Sequence, residues 1–217
     1  VELCGFHCHI GSQIFDAQPF VDAAEIMSEF CVGLYRNHGI KTKILDLGGG
    51  FGVPYTDSDP ELDVRSTVRS IVDEVKRRFG DVALPAIMLE PGRSIVADAG
   101  LTVYTCTSVK NAGKTSYVAV DGGMPDNPRF ALYEASYKVR NVTRAAEEGT
   151  RLYTIAGRCC ESGDLIQKNV SLPETKRGDF IAVETTGAYN YSMASNYNRL
   201  PRPAVIMLDK NEEHIVV

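Results

Sequence analysis

LDLGGGFGV, Leu45 to Val53, is the stretch on which the reading of this chain turns. The residues leading into it, Lys43 to Leu47, form a short apolar run with a β-branched residue, which predicts a buried strand. Gly48, Gly49 and Gly50 follow at once, with Gly52 close behind. Residues without a Cβ can take φ > 0 and let backbone N–H groups come close to a ligand. Several N–H groups aimed into one concavity make an anion site, most often for a phosphate. A plain tight turn is the alternative, and the stretch alone does not choose between them.

The surroundings give a periodic pattern. Upstream, Glu2 to His9 reads as a strand that runs into the polar loop HIGSQ. From Pro19 to His38 the apolar residues Phe20, Ala23, Met27, Phe30, Cys31 and Leu34 recur at helical spacing, and Gly39 is placed to end that helix. Downstream, Val64, Val68, Ile71, Val72, Val75 and Phe79 share one face of a second helix ended by Gly80. Ala86 to Leu89 is a third short strand, entering Glu90-Pro91-Gly92-Arg93. The order β-α-β-α-β with glycine-containing loops after the strands predicts parallel strands joined by helical crossovers. In barrels built this way the chemistry sits on the loops that follow the strands.

Near Gly100 the pattern changes. Leu101–Ser108 and Ser116–Val120 alternate and flank the turn-like Lys110–Lys114, a hairpin signal. Leu152–Ala156, Phe180–Glu184, Val205–Leu208 and His214–Val217 read as further strands, the last two joined by a Lys-Asn turn, and only Tyr133–Glu148 reads as weakly helical. The expected architecture is an α/β portion over 1–100 followed by a mostly antiparallel β domain over 101–217.

With 44% hydrophobic and 24% charged residues, the 217-residue composition is that of an ordinary globular protein with material for a core. A net charge of −5 without a basic cluster argues against nucleic acid or an anionic membrane as partner. No apolar run approaches the ~20 residues that cross a bilayer. The opening VELCGFHCHIG reads like the inside of a strand, as though cut from a longer chain. The six cysteines show neither a CxxC pair nor a secreted framework, which favours reduced cytosolic thiols and a cytoplasmic location. Cys4, His7, Cys8 and His9 lack a second ligand pair, and on a strand the two histidines face away from Cys8, so no metal is expected.

Five ordered stretches carry a family resemblance: HIGSQ, LDLGGGFG, EPGRS at Glu90–Ser94, CESGD at Cys160–Asp164, and GAYNYSMASNYN at Gly187–Asn198. Together they resemble the pyridoxal-phosphate decarboxylases of the alanine-racemase-type fold, and DGGMPDNPRFALY at Asp121–Tyr133 resembles the branch acting on diaminopimelate. The resemblance implies the C-terminal part of a pyridoxal-phosphate-binding (β/α)8 TIM-type barrel followed by the β domain. It also implies a missing N-terminal half that carries the Schiff-base lysine in an aromatic-Ala-x-Lys-Ala-Asn strand, and a missing last helix. The location it implies is the cytoplasm, or a plastid in a plant.

By the same resemblance, the cofactor phosphate meets Ser12, Gly48, Gly49, Gly50, the backbone of Pro91, Gly92 and Arg93, and Tyr189. His9 stacks on the ring. Glu90 faces the pyridine nitrogen, where a carboxylate stabilises the protonated form. Arg93, Arg129 and Tyr133 hold the carboxylate far from the reacting carbon, a task that suits the planar guanidinium fork. Glu161 pairs with the distal ammonium, Tyr189 also lies toward the substrate, and Cys160 gives a proton to the carbanion. The implied reaction converts meso-2,6-diaminopimelate to L-lysine in a homodimer with shared sites, with ornithine, arginine or carboxynorspermidine as sister substrates. Plainer roles stand beside these: Glu90 as an ion-pair partner of Arg93, His9 as a structural histidine, and Cys160 as a buried thiol. A non-catalytic binding or regulatory protein on the same scaffold is the reading from a different class.

Overall fold

The structure, a computed structural model, describes residues 1–209 and 212–215, with the backbone alone for 213–215. The chain divides into two compact units, Val1–Ala97 and Asp98–Val217.

In the first unit, strands β1 (Gly5–His7), β2 (Ile44–Asp46) and β3 (Ala86–Met88) pair in that order, all parallel. Helices α1 (Gln18–His38) and α2 (Val64–Phe79) make the crossovers, so the expected β-α-β-α-β order is the order observed. Gly39 ends α1 at φ 69°, its N–H donating to the Tyr35 carbonyl at 2.8 Å. The start of α2 is fixed by Asp63, whose carboxylate accepts the Ser66 N–H at 3.0 Å. That bond also holds the Asp63 carboxyl below its ordinary range.

Alternation along the strands sets two faces. Leu45 and Leu47, with Phe6, Cys8, Ile87 and Leu89, pack against Phe20, Ala24, Cys31 and Val32 of α1 and Ile71, Val75 and Phe79 of α2. Full burial of such a side chain contributes about 1.5–3 kcal/mol, so this face holds the unit together. Phe20 stacks on Phe51 with ring centroids 4.8 Å apart, which ties the glycine loop to α1. Phe30 lies on the rim of this core, half-exposed, and meets Phe6 edge-on at 5.0 Å.

The second unit carries β4 (Thr102–Ala112), β5 (Thr115–Val120), β6 (Val139–Asn141), β7 (Arg151–Ala156), β8 (Leu165–Leu172) and β9 (Phe180–Val183) in one sheet of order β6-β9-β4-β5-β7-β8. It is a mixed sheet: β5 and β7 run parallel, and the other neighbours are antiparallel. The hairpin β4–β5 forms where the alternation places it, turning on Gly113 at φ 61°. Strands β10 (Ile206–Asp209) and β11 (Glu212–Ile215) make a separate antiparallel pair, while the expected Lys-Asn turn and Val216–Val217 lie outside the described residues.

One expectation needs correction, and one strand was not expected. Tyr133–Glu148 is not helical: a short helix α4 (Arg129–Tyr133) ends as that stretch begins, and β6 occupies its middle. The reason is Asn141, which donates to Thr175 Oγ1 and Asp179 Oδ2 and accepts the Arg144 N–H, bonds that fix a strand end and a single 3-10 turn. Strand β8 escapes the alternation rule because its register against β7 shifts and Asn169 sits at φ 55°, an irregularity that breaks the two-residue period.

Candidate active site

The face of the parallel sheet turned away from the helices carries Ile44, Ala86 and Met88 together with a polar cluster toward the strand ends. His7 and Asp46 are register partners, and Glu90 lies two residues beyond Met88, the partner of Asp46 on β3, so all three project from that face. His7 Nε2 lies 3.1 Å from Glu90 Oε2, and donor atoms of His7, Asp46 and Glu90 fall within 4.8 Å of one another. Such a spacing suits a shared proton, and it is also within reach of a shared cation. The Glu90–Arg93 ion pair is not the arrangement found; the partner of Glu90 is His7.

Backbone bonds carry the strand ladder past its named ends and draw the loops together. Cys8 N–H reaches Asp46 O at 2.9 Å, Leu47 N–H reaches Met88 O at 3.0 Å, and Glu90 N–H reaches Gly48 O at 2.7 Å. The side-chain amide of Gln13 exchanges two bonds of 3.0 Å with the Val53 backbone, while Ile14 bridges Phe51. The glycines are required by this convergence. A Cβ on Gly49 would stand 2.2 Å from Glu90 O, and one on Gly50, at φ 102°, 2.2 Å from Gly11 O. The backbone that comes close at these positions belongs to the neighbouring loops. His9 lies two residues beyond β1 with the parity of His7, its Nδ1 accepting the Gly49 N–H at 3.4 Å, which leaves the proton of the neutral ring on Nε2.

Arg93 opens the short helix α3 (Arg93–Val96) and is only 7% exposed. Its guanidinium donates to the hydroxyl of buried Tyr55 and to Ser12 Oγ at 3.1 Å. Ser12 therefore still has its own O–H to give. Pro91 and Gly92 precede the helix, at an end where N–H groups lack intrahelical acceptors.

In the second unit, Arg129 and Tyr133 lie one turn apart on α4, with the guanidinium 5.4 Å from the ring centroid. Cys160 and Glu161 are both exposed on the loop between β7 and β8, so Cys160 is not a buried thiol in this chain. The carboxylate of Asp164, 3% exposed, accepts the Met124 N–H at 2.6 Å and the Cys159 N–H at 2.7 Å. A Cβ on Gly123 or Gly157 would collide with it, so both loops are moulded around this one carboxylate. Cys160 N–H donates to Asn198 Oδ1 at 3.1 Å, and Tyr197 Oη donates to Glu161 Oε2 at 3.4 Å. Partial burial, then the Asp164 charge, push the neighbouring Cys159 thiol up to about 11. Tyr189 is partly exposed, its carbonyl accepting from Ser192 Oγ at 2.9 Å.

Each unit thus gathers its own candidates: His9, Ser12, Gly48–Gly50, Glu90 and Arg93 in the first, and Arg129 with Tyr133, and Cys160 with Glu161, in the second. Sequence reasoning gave no role to Asp46, Tyr55, Asp164 and Tyr197, and weighed His7 only as a metal ligand. The parity of His7 and His9 on one strand was the available signal for His7, and Asp164 stands inside the quoted CESGD.

The pyridoxal-binding domain of the pyridoxal-dependent decarboxylases matches residues 1–97. The chain is 49% identical to the diaminopimelate decarboxylase of Bacillus subtilis (strain 168), over all of this chain and 50% of that protein. The diaminopimelate decarboxylase of M. jannaschii, solved in complex with L-lysine, superposes with a TM-score of 0.92 at 34% identity, covering 98% of this chain and 48% of the other. The Helicobacter pylori enzyme, also solved with L-lysine, gives 0.88 at 33% identity, covering 99% and 51%. The chain spans about half the length of the curated relatives it matches. Matched from end to end by such relatives, it belongs to the pyridoxal-dependent decarboxylases.

Proposed function

We propose that this chain is one portion of a decarboxylase that converts meso-2,6-diaminopimelate to L-lysine and carbon dioxide with pyridoxal 5'-phosphate. The observation that carries the reading is the polar cluster on the parallel sheet, with its converging glycine loops, in the unit that matches a pyridoxal-binding domain. Residues 1–100 would be part of a (β/α)8 barrel, and 101–217 a mostly antiparallel β domain. Pairing supports the barrel: among the described residues β1 and β3 each pair along one edge only, and strands that join them there would turn the face with the polar cluster inward.

The residues present fit the cofactor by their donor chemistry. Ser12 has a hydroxyl proton to give because Arg93 supplies the bond its oxygen accepts. The N–H groups of Gly50 and Gly92 and the Tyr189 side chain would join it on the phosphate, each bond to a charged group contributing ~1.5–3 kcal/mol, while the Gly48 and Gly49 N–H groups stay on Asp46 and His9. His9 would cover one ring face, and Glu90 would face the ring nitrogen. When bound, the cofactor supplies an electron-accepting ring for the carbon that loses carbon dioxide.

Everything else falls to side chains. Arg93, Arg129 and Tyr133 would take the substrate's far carboxylate, and Glu161 its far ammonium. Cys160 Sγ–H would deliver the proton that replaces the lost carboxylate. In a cytoplasmic homodimer, Cys160 and Glu161 would serve the partner's site. The test uses the full-length protein containing this chain, supplied with the cofactor and with meso-diaminopimelate, ornithine or arginine. Release of lysine from meso-diaminopimelate alone is expected, and Glu161→Gln should raise KM far more than it lowers kcat. Turnover of ornithine or arginine instead would move the protein to a sister branch.

A further inference from the structure

His7 has no role in the reading above, yet among the described residues its side chain is hydrogen-bonded to Glu90. Glu90 is more than half exposed in this chain and has three rotatable torsions, so β3 alone does not hold its carboxylate in place. Register supplies what is missing. His7 projects from β1 on the same face, and Nε2 meets one carboxylate oxygen at 3.1 Å. Asp46 stands on the intervening strand, its own carboxylate tied to the Gly48 N–H at 3.0 Å. An imidazole set near two carboxylates donates where it can reach, and here it reaches Glu90. One N–H on Oε2 leaves the other Glu90 oxygen open for a second donor.

We propose that His7 is a positioning residue: its imidazole fixes the Glu90 carboxylate in the orientation that lets it accept from the ring nitrogen of the cofactor. The proposal rests on the role assigned to Glu90 above. It also explains why two histidines at alternate positions share this face, His9 toward the ring and His7 toward the residue that polarises it.

Two polar substitutions separate this role from a structural one. In His7→Gln the amide nitrogen takes the place of Nε2 and can still donate to Glu90. In His7→Asn the amide nitrogen takes the place of Nδ1 and falls short. Both are made in the full-length holoenzyme, loaded with pyridoxal phosphate labelled with an NMR-active isotope at the ring nitrogen. Cofactor content, the NMR shift of that nitrogen and steady-state constants are then measured.

The expected result is full cofactor content in both variants, with the His7→Asn nitrogen signal moved toward the unprotonated pyridine and kcat lowered about tenfold to a hundredfold at little change in KM. His7→Gln keeps the wild-type signal and a kcat within a few-fold of wild type. A His7→Asn enzyme with wild-type signal and rate overturns the proposal. So does a His7→Gln enzyme no better than His7→Asn, or failure of both to fold, which would make the imidazole structural. Loss of the wild-type signal on chelation would also overturn it, by giving the three side chains to a cation. If the wild-type protein itself takes up no cofactor, the decarboxylase reading fails rather than this step.

Discussion

The two units present their candidate residues by opposite means. In Val1–Ala97 the loops at the strand ends are held by many backbone bonds and by glycines that let them touch, and the candidate side chains stand beside them. In Asp98–Val217 two carboxylates, buried Asp164 and half-buried Asp126, accept from the loops 122–126 and 157–161, which the Arg158 N–H to Gly122 O bond of 3.0 Å joins, and Cys160 and Glu161 stand on the second loop. A distributed scaffold tolerates the loss of any one side chain. A scaffold that leans on buried carboxylates tolerates it less.

The largest effect should therefore come from Asp164→Ala. It leaves the N–H groups of Met124 and Cys159 without their acceptor in a closed site. Denaturant unfolding of the full protein should show a loss of about 2–4 kcal/mol, and activity should fall with it. Equal stability and activity would remove the contrast between the units. In the first unit the comparable lesion is in the backbone: Gly49→Ala places a methyl on Glu90 O and should cost about 1–3 kcal/mol. Titration of the cofactor should show weaker binding, since the loop must move. A glycine change that costs nothing would mean the loops are less tightly joined than described.

Adjacent thiols give a finer probe of the Asp164 site. Cys160 is exposed, whereas burial and the Asp164 charge hold the Cys159 thiol at about 11, so iodoacetamide near neutral pH should label Cys160 and spare Cys159. Asp164→Asn removes the negative charge and should speed labelling of Cys159, read by peptide mass spectrometry. The smallest effect belongs to Asp63. Its carboxyl is held low by the Ser66 N–H, so its contribution to stability is complete above the unfolded value, near pH ~4, and is lost as pH falls through the folded one. Asp63→Ala should lower Tm slightly at neutral pH and show no such difference from the parent in strong acid.

Much of this molecule was legible in its residues. The helices were, because Phe20, Cys31, Ile71, Val75 and Phe79 keep helical spacing and Gly39 stops α1 by its left-handed backbone. The hairpin was, because Ser116, Val118 and Val120 alternate inward. The His7–Glu90 bond was not: the two are 83 positions apart, and only the register of three strands joins them. Tyr55 beneath Arg93 is hidden for the same reason. Strand β8 and the β6 segment were hidden for local reasons, the positive φ of Asn169 and the side-chain bonds of Asn141, which override the periodicity that sequence reading relies on. The glycine run was found, but its geometric cause lies in loops that the sequence does not bring together.

The most direct test is a crystal structure of the full-length protein with pyridoxal phosphate and L-lysine bound. The cofactor ring should lie on the sheet face that carries the polar cluster, its nitrogen facing Glu90 and its phosphate at Ser12 and the Gly48–Gly50 loop. A cofactor bound elsewhere, with that face filled by other side chains, would contradict the account.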